Sequence, residues 1–207
     1  GSLSRNGALV FGIVISITGT TTLWLSLNAL TAALGLLTLF SYILVYTPLK
    51  KITIANTWIG GITGALPPVM GWTAAKGTLD WEVLPIFALL YFWQLPHFFA
   101  IAWMYRDDYR RGEFKMLSSN DPTGKRTSFQ MLFYGGLLFI SSIAIFIIGQ
   151  GSLVYLVSAV VLGLLFLAVI YLFFRKRSIE NARKVFLASI IYLPVLSSII
   201  ILDWFIL

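Results

Sequence analysis

Leu153-Val154-Tyr155-Leu156-Val157-Ser158-Ala159-Val160-Val161-Leu162-Gly163-Leu164-Leu165-Phe166-Leu167-Ala168-Val169-Ile170-Tyr171-Leu172-Phe173-Phe174 contains no charged residue. An α-helix needs about 20 such residues to cross a bilayer's hydrocarbon core. Runs of the same kind recur along the whole chain, near residues 8–25, 29–47, 54–72, 83–104, 129–148, 153–174 and 185–206. A membrane barrel would instead show strands of about ten residues with alternating polarity. These runs are continuous, so the reading is an all-α membrane protein: one multi-span helical bundle over residues 1–207, with seven transmembrane helices. A hydrophobic fraction of 58% with only 11% charged residues excludes an ordinary soluble domain.

Charge sets the orientation. With loops taken in alternation, Arg5, Lys50, Lys51, Arg106, Arg110, Arg111, Lys115, Lys125, Arg126, Arg175, Lys176, Arg177, Arg183 and Lys184 fall on one side, and only Lys76 falls opposite. The positive-inside rule makes that side cytoplasmic, or matrix in a mitochondrion. The net charge of +7 is therefore spread over short loops, where an anionic leaflet explains it and nucleic acid does not. The chain has no cysteine, which removes disulfides and cysteine-ligated metals. It begins Gly1-Ser2 rather than with methionine, as an engineered or internal start would.

Three stretches interrupt the apolar pattern. Trp93-Gln94-Leu95-Pro96-His97-Phe98-Phe99 holds the only histidine, inside an aromatic span. Polar groups at membrane depth are costly and by default are candidates for function. Gln94 and His97, three apart, are expected on one helix face. His97 reads either as a packed, hydrogen-bonded residue or as a ligand for haem iron or a polar substrate group. Downstream, Arg106-Asp107-Asp108-Tyr109-Arg110-Arg111 begins the longest and most polar loop. It is either a solvated salt-bridge cluster or a rim in which Asp107 and Asp108 hold Mg²⁺ while the arginines neutralise phosphate. Tyr46-Thr47-Pro48-Leu49-Lys50-Lys51 closes the second span on the same side, its lysines anchoring in headgroups or forming a second cationic wall.

The third span, Asn56 to Trp72, is irregular. Gly60 and Gly64 form a small-xxx-small face suited to close helix approach. Pro67-Pro68 is expected to kink or break the helix. Irregular backbone at this depth is tolerated against protein or a cavity. The loop from Ala74 to Glu82 is expected to carry a short surface helix. A mouth open to the cytoplasm above an apolar cavity suits an amphiphile with a diphosphate head and a hydrocarbon tail.

Tyr46–Lys51, Asn56 with Gly60-Gly61 and Gly64–Trp72, Trp93–Phe99, Asp108-Tyr109 and Met116-Leu117 together resemble the haem-farnesylating branch of the UbiA-type intramembrane prenyltransferases. The resemblance covers nearly the whole chain and implies a nine-helix bundle. It implies transfer of a farnesyl group from farnesyl diphosphate to a vinyl group of haem B with addition of water, giving haem O for terminal oxidases. Haem B is then a substrate rather than a prosthetic group, and Mg²⁺ is the implied cofactor. Implied catalytic residues are Asp107, Asp108, Lys50, Lys51, Arg106 and Arg110, with Asp107 and Asp108 as metal ligands. Implied substrate contacts are His97, Gln94, Trp93, Tyr46, Asn56, Tyr109 and Arg111. Haem A synthase or oxidase-assembly proteins are the implied partners, and a bacterial plasma membrane is preferred to a mitochondrial one. The competing readings are a prenyltransferase for a quinone precursor or chlorophyllide, and a non-catalytic haem-handling transporter. A transporter would be expected to show inverted repeats, and no repeat is visible.

The family pattern also has two earlier helices and a first aspartate-rich metal motif. Here the first acidic residue is Asp80, on the outer side. The chain therefore reads as the C-terminal seven helices of a longer enzyme. The purified 207-residue chain is expected to yield no haem O from haem B and farnesyl diphosphate. Detecting that product by chromatography and mass spectrometry would overturn this expectation.

Overall fold

A computed structural model describes residues 4–206, so Gly1-Ser2 lie outside the described residues. The helices are α1 Arg5–Ser26, α2 Ala29–Phe40, α3 Thr47–Ile52, α4 Asn56–Lys76, α5 Leu84–Met104, α6 Arg106–Arg111, α7 Lys125–Ile147, α8 Leu153–Arg175 and α9 Ile179–Ile206. A π-helical segment, Ser41–Tyr46, joins α2 to α3 without a break. Six of the resulting rods are long and apolar enough to cross a membrane. The seventh, α4, is also long, but its Asn, Thr, Trp and Pro content makes it less apolar.

Helices α5, α7, α8 and α9 form a four-helix bundle, with α5 packed on both α7 and α9. Its core holds Phe99, Trp103, Met131, Leu138, Tyr155, Phe166, Ile170, Phe173 and Tyr192. Lipid is as apolar as leucine, so polar contacts and close fit hold such helices together. Ser142 Oγ lies 2.6 Å from Tyr192 Oη, and Tyr155 Oη donates to the Ser142 carbonyl at 3.0 Å. One short network thus joins α7, α8 and α9. From this bundle the other helices run outward in sequence: α4 on α5, α2 on α4, and α1 on α2.

At the end of the bundle away from the basic loops, Asn28 caps α2 and donates to the Thr73 carbonyl at 2.8 Å, while Thr31 and Thr73 share a hydroxyl contact at 2.9 Å. At the basic end, Gly124 starts α7 with φ of 70°, and a Cβ there would strike the Trp103 ring at 2.6 Å. Glycine is therefore required twice over, by conformation and by space.

Of the two outcomes expected at Pro67-Pro68, a kink or a break, the break does not occur: α4 runs continuously from Asn56 to Lys76. Packing against α2 and α5 holds the helix through the two missing donors, as membrane helices permit. The loop after α4 carries only a 3₁₀ turn, Trp81–Val83, because Gly77 at φ 75° ends the helix and Asp80 restarts the chain in extended form.

The buried Asp203 near the end of α9 accepts from the Ser152 backbone N–H at 2.6 Å and from the Ser152 hydroxyl, while Ser152 caps α8. Asp203→Ala removes both acceptors at once. Leaving a buried donor without its acceptor costs about 1–3 kcal/mol. The expected outcome is a matching drop in unfolding free energy in detergent, with Asp203→Asn recovering part of it.

Candidate functional site

The second transmembrane rod changes helical register where Pro48 cannot donate a backbone hydrogen bond. The Thr47 N–H reaches the Tyr42 carbonyl, five residues back, and the Thr47 hydroxyl donates to the same oxygen at 2.8 Å. π-Turns of this kind cluster at functional sites. Here the turn presents Tyr42 and Tyr46, with ring centroids 5.2 Å apart, to a cavity of about 770 Å³.

That cavity is walled by α1, α2, α4 and α5 and bordered at its basic end by α6 and the segment after it. Its apolar lining includes Leu23, Leu39, Met70, Phe98 and Phe114, and its polar lining includes Ser16, Thr20, Thr38, Asn56, Thr57, Thr63 and Gln94. Lys50 and Tyr109 stand at its mouth, at the basic end of the bundle. The Lys50 ammonium lies 4.3 Å from the Tyr46 ring centroid and 5.5 Å from that of Tyr42, so two aromatic faces hold the cation at the rim. Burial pushes the Tyr109 phenol above its ordinary value, leaving it a neutral hydrogen-bonding group at physiological pH.

Gly60 and Gly64 line this cavity, and the structure shows what their small size accommodates. A Cβ on Gly60 would meet the Tyr46 ring, and one on Gly64 would collide with the Gln94 side-chain oxygen. The two glycines admit side chains rather than a neighbouring backbone. The Gln94 amide donates to the Gly61 carbonyl at 2.6 Å, pinning α5 to α4.

Asn56 is buried, and its amide nitrogen is committed: it lies 2.6 Å from the Thr53 carbonyl and 2.7 Å from the Lys115 carbonyl. The Lys115 N–H donates to the Lys50 carbonyl at 2.8 Å. Asn56 thus positions the rim loop, in addition to forming part of the cavity wall. On the far side of Phe114 lies a second, basic pocket of about 520 Å³ lined by Lys51, Arg110, Glu113, Lys115, Ser119 and Asn120. Phe114 borders both compartments.

The remaining predicted residues lie elsewhere. Arg106 stacks on Trp103, its guanidinium carbon 4.8 Å from the ring centroid. Asp107 pairs with Arg110 at 3.8 Å and Asp108 with Arg111, all four exposed. Both contacts are between residues three apart, as a solvated salt-bridge cluster on a short helix would make them. Each step along a helix turns about 100°, so with Tyr109 facing the cavity, Asp108 lies on its flank and Asp107 points away. Neighbouring helical residues do not face each other, and among the described residues no group of three acids or histidines forms a metal cage. His97 and Trp93 are not on the cavity wall. His97 bonds Ser189 at 2.8 Å and Trp93 donates to the Ser189 carbonyl at 2.8 Å, both facing α9.

Sequence reasoning misses the α1 and α2 contributions, although Ser16, Gly19, Thr20 and Leu23 recur at helical spacing and interrupt an apolar span. No pattern in residues 41–46 themselves announces the π-turn; Pro48 is the only clue.

A cavity apolar in its depth and basic at one end, inside a bundle of membrane-length helices, is shaped for an amphiphile. The chain belongs to the UbiA prenyltransferase family, whose sequence profile it matches over residues 1–193. Members of this family generally use a divalent metal. Among its relatives, a protein named protoheme IX farnesyltransferase from Solibacter usitatus is 42% identical over 203 residues, covering 98% of this chain and 70% of that protein. The mitochondrial protein of that name from Arabidopsis thaliana is 38% identical, covering 96% of this chain and 46% of its own length. The human mitochondrial protein is 48% identical over 122 residues, 59% of this chain and 28% of that one. Among solved structures, one described for digeranylgeranylglyceryl phosphate synthase superposes with a TM-score of 0.83 at 19% identity. It covers 98% of this chain and 71% of that one, and it shows the fold.

Gly64→Ala forces Gln94 off its wall position, and overpacking of this type costs about 1–3 kcal/mol. Gly71, where an added Cβ would meet nothing within 4 Å, is the control. Gly71→Ala is expected to be neutral or stabilising, by up to about 1 kcal/mol from helix propensity. Unfolding titrations of both variants in detergent check the contrast.

Proposed function

We propose that this protein transfers a farnesyl group from farnesyl diphosphate to a vinyl group of haem B, with addition of water, giving haem O for terminal oxidase assembly. The observation that carries this reading is the cavity itself. It is apolar along its depth, is built from four helices, and ends at Lys50 and Tyr109 beside a basic pocket. The names of the relatives supply the two substrates.

The isoprenoid chain fits the apolar depth, where Phe98, Leu39 and Leu23 exclude water. The diphosphate fits the rim, where Lys50 lies on one side of Phe114 and Lys51, Arg110 and Lys115 lie on the other. Heterolysis of the allylic C–O bond leaves diphosphate at those cations and a delocalised carbocation in the cavity. A dry wall of aromatic and aliphatic groups protects that cation from premature capture by water. The terminal vinyl carbon attacks it, forming the new C–C bond. Water adds at the neighbouring carbon and loses a proton.

Mg²⁺ is the metal we assign to this site. It prefers one or two carboxylates together with substrate phosphate oxygens. Asp107 and Asp108 are hard-oxygen donors at the basic end of the bundle, but their side chains diverge. Of the two, Asp108, on the flank of cavity-facing Tyr109, is the one placed to hold it, and when bound it would neutralise diphosphate charge. His97, with Trp93, is assigned to haem contact from the α9 side of α5. Phe98, which both lines the cavity and meets His97 edge-on, is the border between haem and prenyl chain. Arg106 and Arg111 add positive charge near the rim. The basic rim faces the cytoplasm of a bacterial plasma membrane under the positive-inside rule. Haem A synthase and oxidase-assembly proteins are the partners that such a product implies.

Binding of a non-hydrolysable farnesyl thiodiphosphate to the 207-residue chain in nanodiscs tests the rim. Lys50→Ala is expected to weaken binding about tenfold or more, as loss of one charge-assisted contact of about 1.5–3 kcal/mol would, with Lys50→Arg near wild type. Equal affinities for all three would overturn the assignment. In the enzyme carrying this sequence, a prenylated quinone precursor formed in place of haem O would overturn the substrate.

A further inference from the structure

Ser189 of α9 makes three contacts that together decide the state of His97. Its hydroxyl donates to the Phe186 carbonyl, with the two oxygens 2.6 Å apart. Its hydroxyl oxygen also lies 2.8 Å from His97 Nδ1. Its carbonyl accepts the Trp93 indole N–H at 2.8 Å. A serine hydroxyl has one proton and two lone pairs. An O···O separation of 2.6 Å to a carbonyl requires that proton between the two oxygens, because the carbonyl has none to give. The hydroxyl can then only accept from His97, so Nδ1 carries the hydrogen. In a neutral imidazole the other nitrogen is then bare.

We propose that Ser189 is a positioning residue that holds His97 in its Nδ1–H tautomer, so that Nε2 presents its lone pair to the haem iron as an axial ligand. This rests on the assignment of His97 to haem contact made above. The surroundings fit that task. The imidazole is flanked by Trp93, stacked at 5.3 Å and 22°, by Phe186 at 5.0 Å, and edge-on by Phe98 at 5.5 Å. These rings fix its plane and keep the surroundings of the imidazole apolar. Among the described residues Nε2 has no hydrogen-bond partner. Partners on the second nitrogen of a ligating histidine set its tautomer and basicity, and their loss lowers metal affinity by about 10–100-fold. Both members of the pair are anchored: Ser189 is fully buried, and Trp93 fastens α5 to α9 at the same residue.

Because His97 is the only histidine in the chain, ¹⁵N-histidine labelling reports on it alone. The full 207-residue chain in nanodiscs, free of haem and at neutral pH, is expected to show a protonated Nδ1 and a bare Nε2. Ser189→Ala should bring in the Nε2–H form, and Ser189→Thr should restore the wild-type pattern. An Nε2–H signal in the wild type, or an unchanged tautomer in Ser189→Ala, would overturn the proposal. Titration with protohaem, followed through its Soret band, is the second readout. Ser189→Ala should weaken nitrogen ligation about tenfold or more, and unchanged affinity would overturn the positioning role. If His97→Ala leaves the haem spectrum unchanged, the haem assignment of His97 fails, while the tautomer measurement, made without haem, is unaffected.

Discussion

The backbone of Lys115 ties the basic rim together. Its N–H meets the Lys50 carbonyl and its carbonyl meets the Asn56 amide. Backbone groups near a bilayer cannot remain unpaired without cost, so the loop after α6 has one favourable docking position. That position fixes Lys50 and Phe114 relative to each other, and with them the mouth of the cavity. It also joins the outer run of helices, α1 to α4, to the segment leaving the four-helix bundle. The interior polar contacts at Gln94, Ser142 and Asn28 align helices, whereas this one aligns the two halves of the rim.

Charge at the rim is organised by aromatic rings as much as by acids. Lys50 lies against Tyr42 and Tyr46, Lys51 faces Phe114, and Arg106 stacks on Trp103. A cation held over a ring keeps its full charge for an incoming anion, whereas one paired with a carboxylate has part of its field cancelled. Arg110 and Arg111, paired to Asp107 and Asp108, fall in the second group. The lysines on the α3 side are therefore the better preorganised anion contacts, and the α6 arginines must exchange partners to join them.

Much of this is legible in the chain. Uncharged runs such as Leu153–Phe174 identify the rods because length and hydropathy alone decide whether a helix can cross a bilayer. Spacing is less informative where a helix is sandwiched. Gln94 and His97 are three residues apart and so about 60° apart around α5, which is enough to send one side chain to α4 and the other to α9. Asp107 and Asp108, adjacent in sequence, diverge for the same reason. The glycines of α4 read as helix-contact positions, but the side chains of Tyr46 and Gln94 occupy that space, and no single-sequence rule tells a backbone neighbour from a side-chain neighbour. The π-turn depends on how Thr47 and Pro48 settle together, a choice made by tertiary context.

Phe114 has a consequence of a different kind. One ring forms the partition between an apolar chamber of about 770 Å³ and a basic one of about 520 Å³. It is itself held only by Tyr109 edge-on at 6.0 Å and by the Lys51 cation at 5.9 Å among the described ring contacts. A molecule with an oily tail and a charged head must straddle that ring, so the boundary between oil and water inside the protein is the width of one side chain. The bilayer spreads the same boundary over its whole headgroup layer. Such a narrow boundary sorts ligands by where along their length polarity changes, a property that neither cavity volume nor rim charge alone could select.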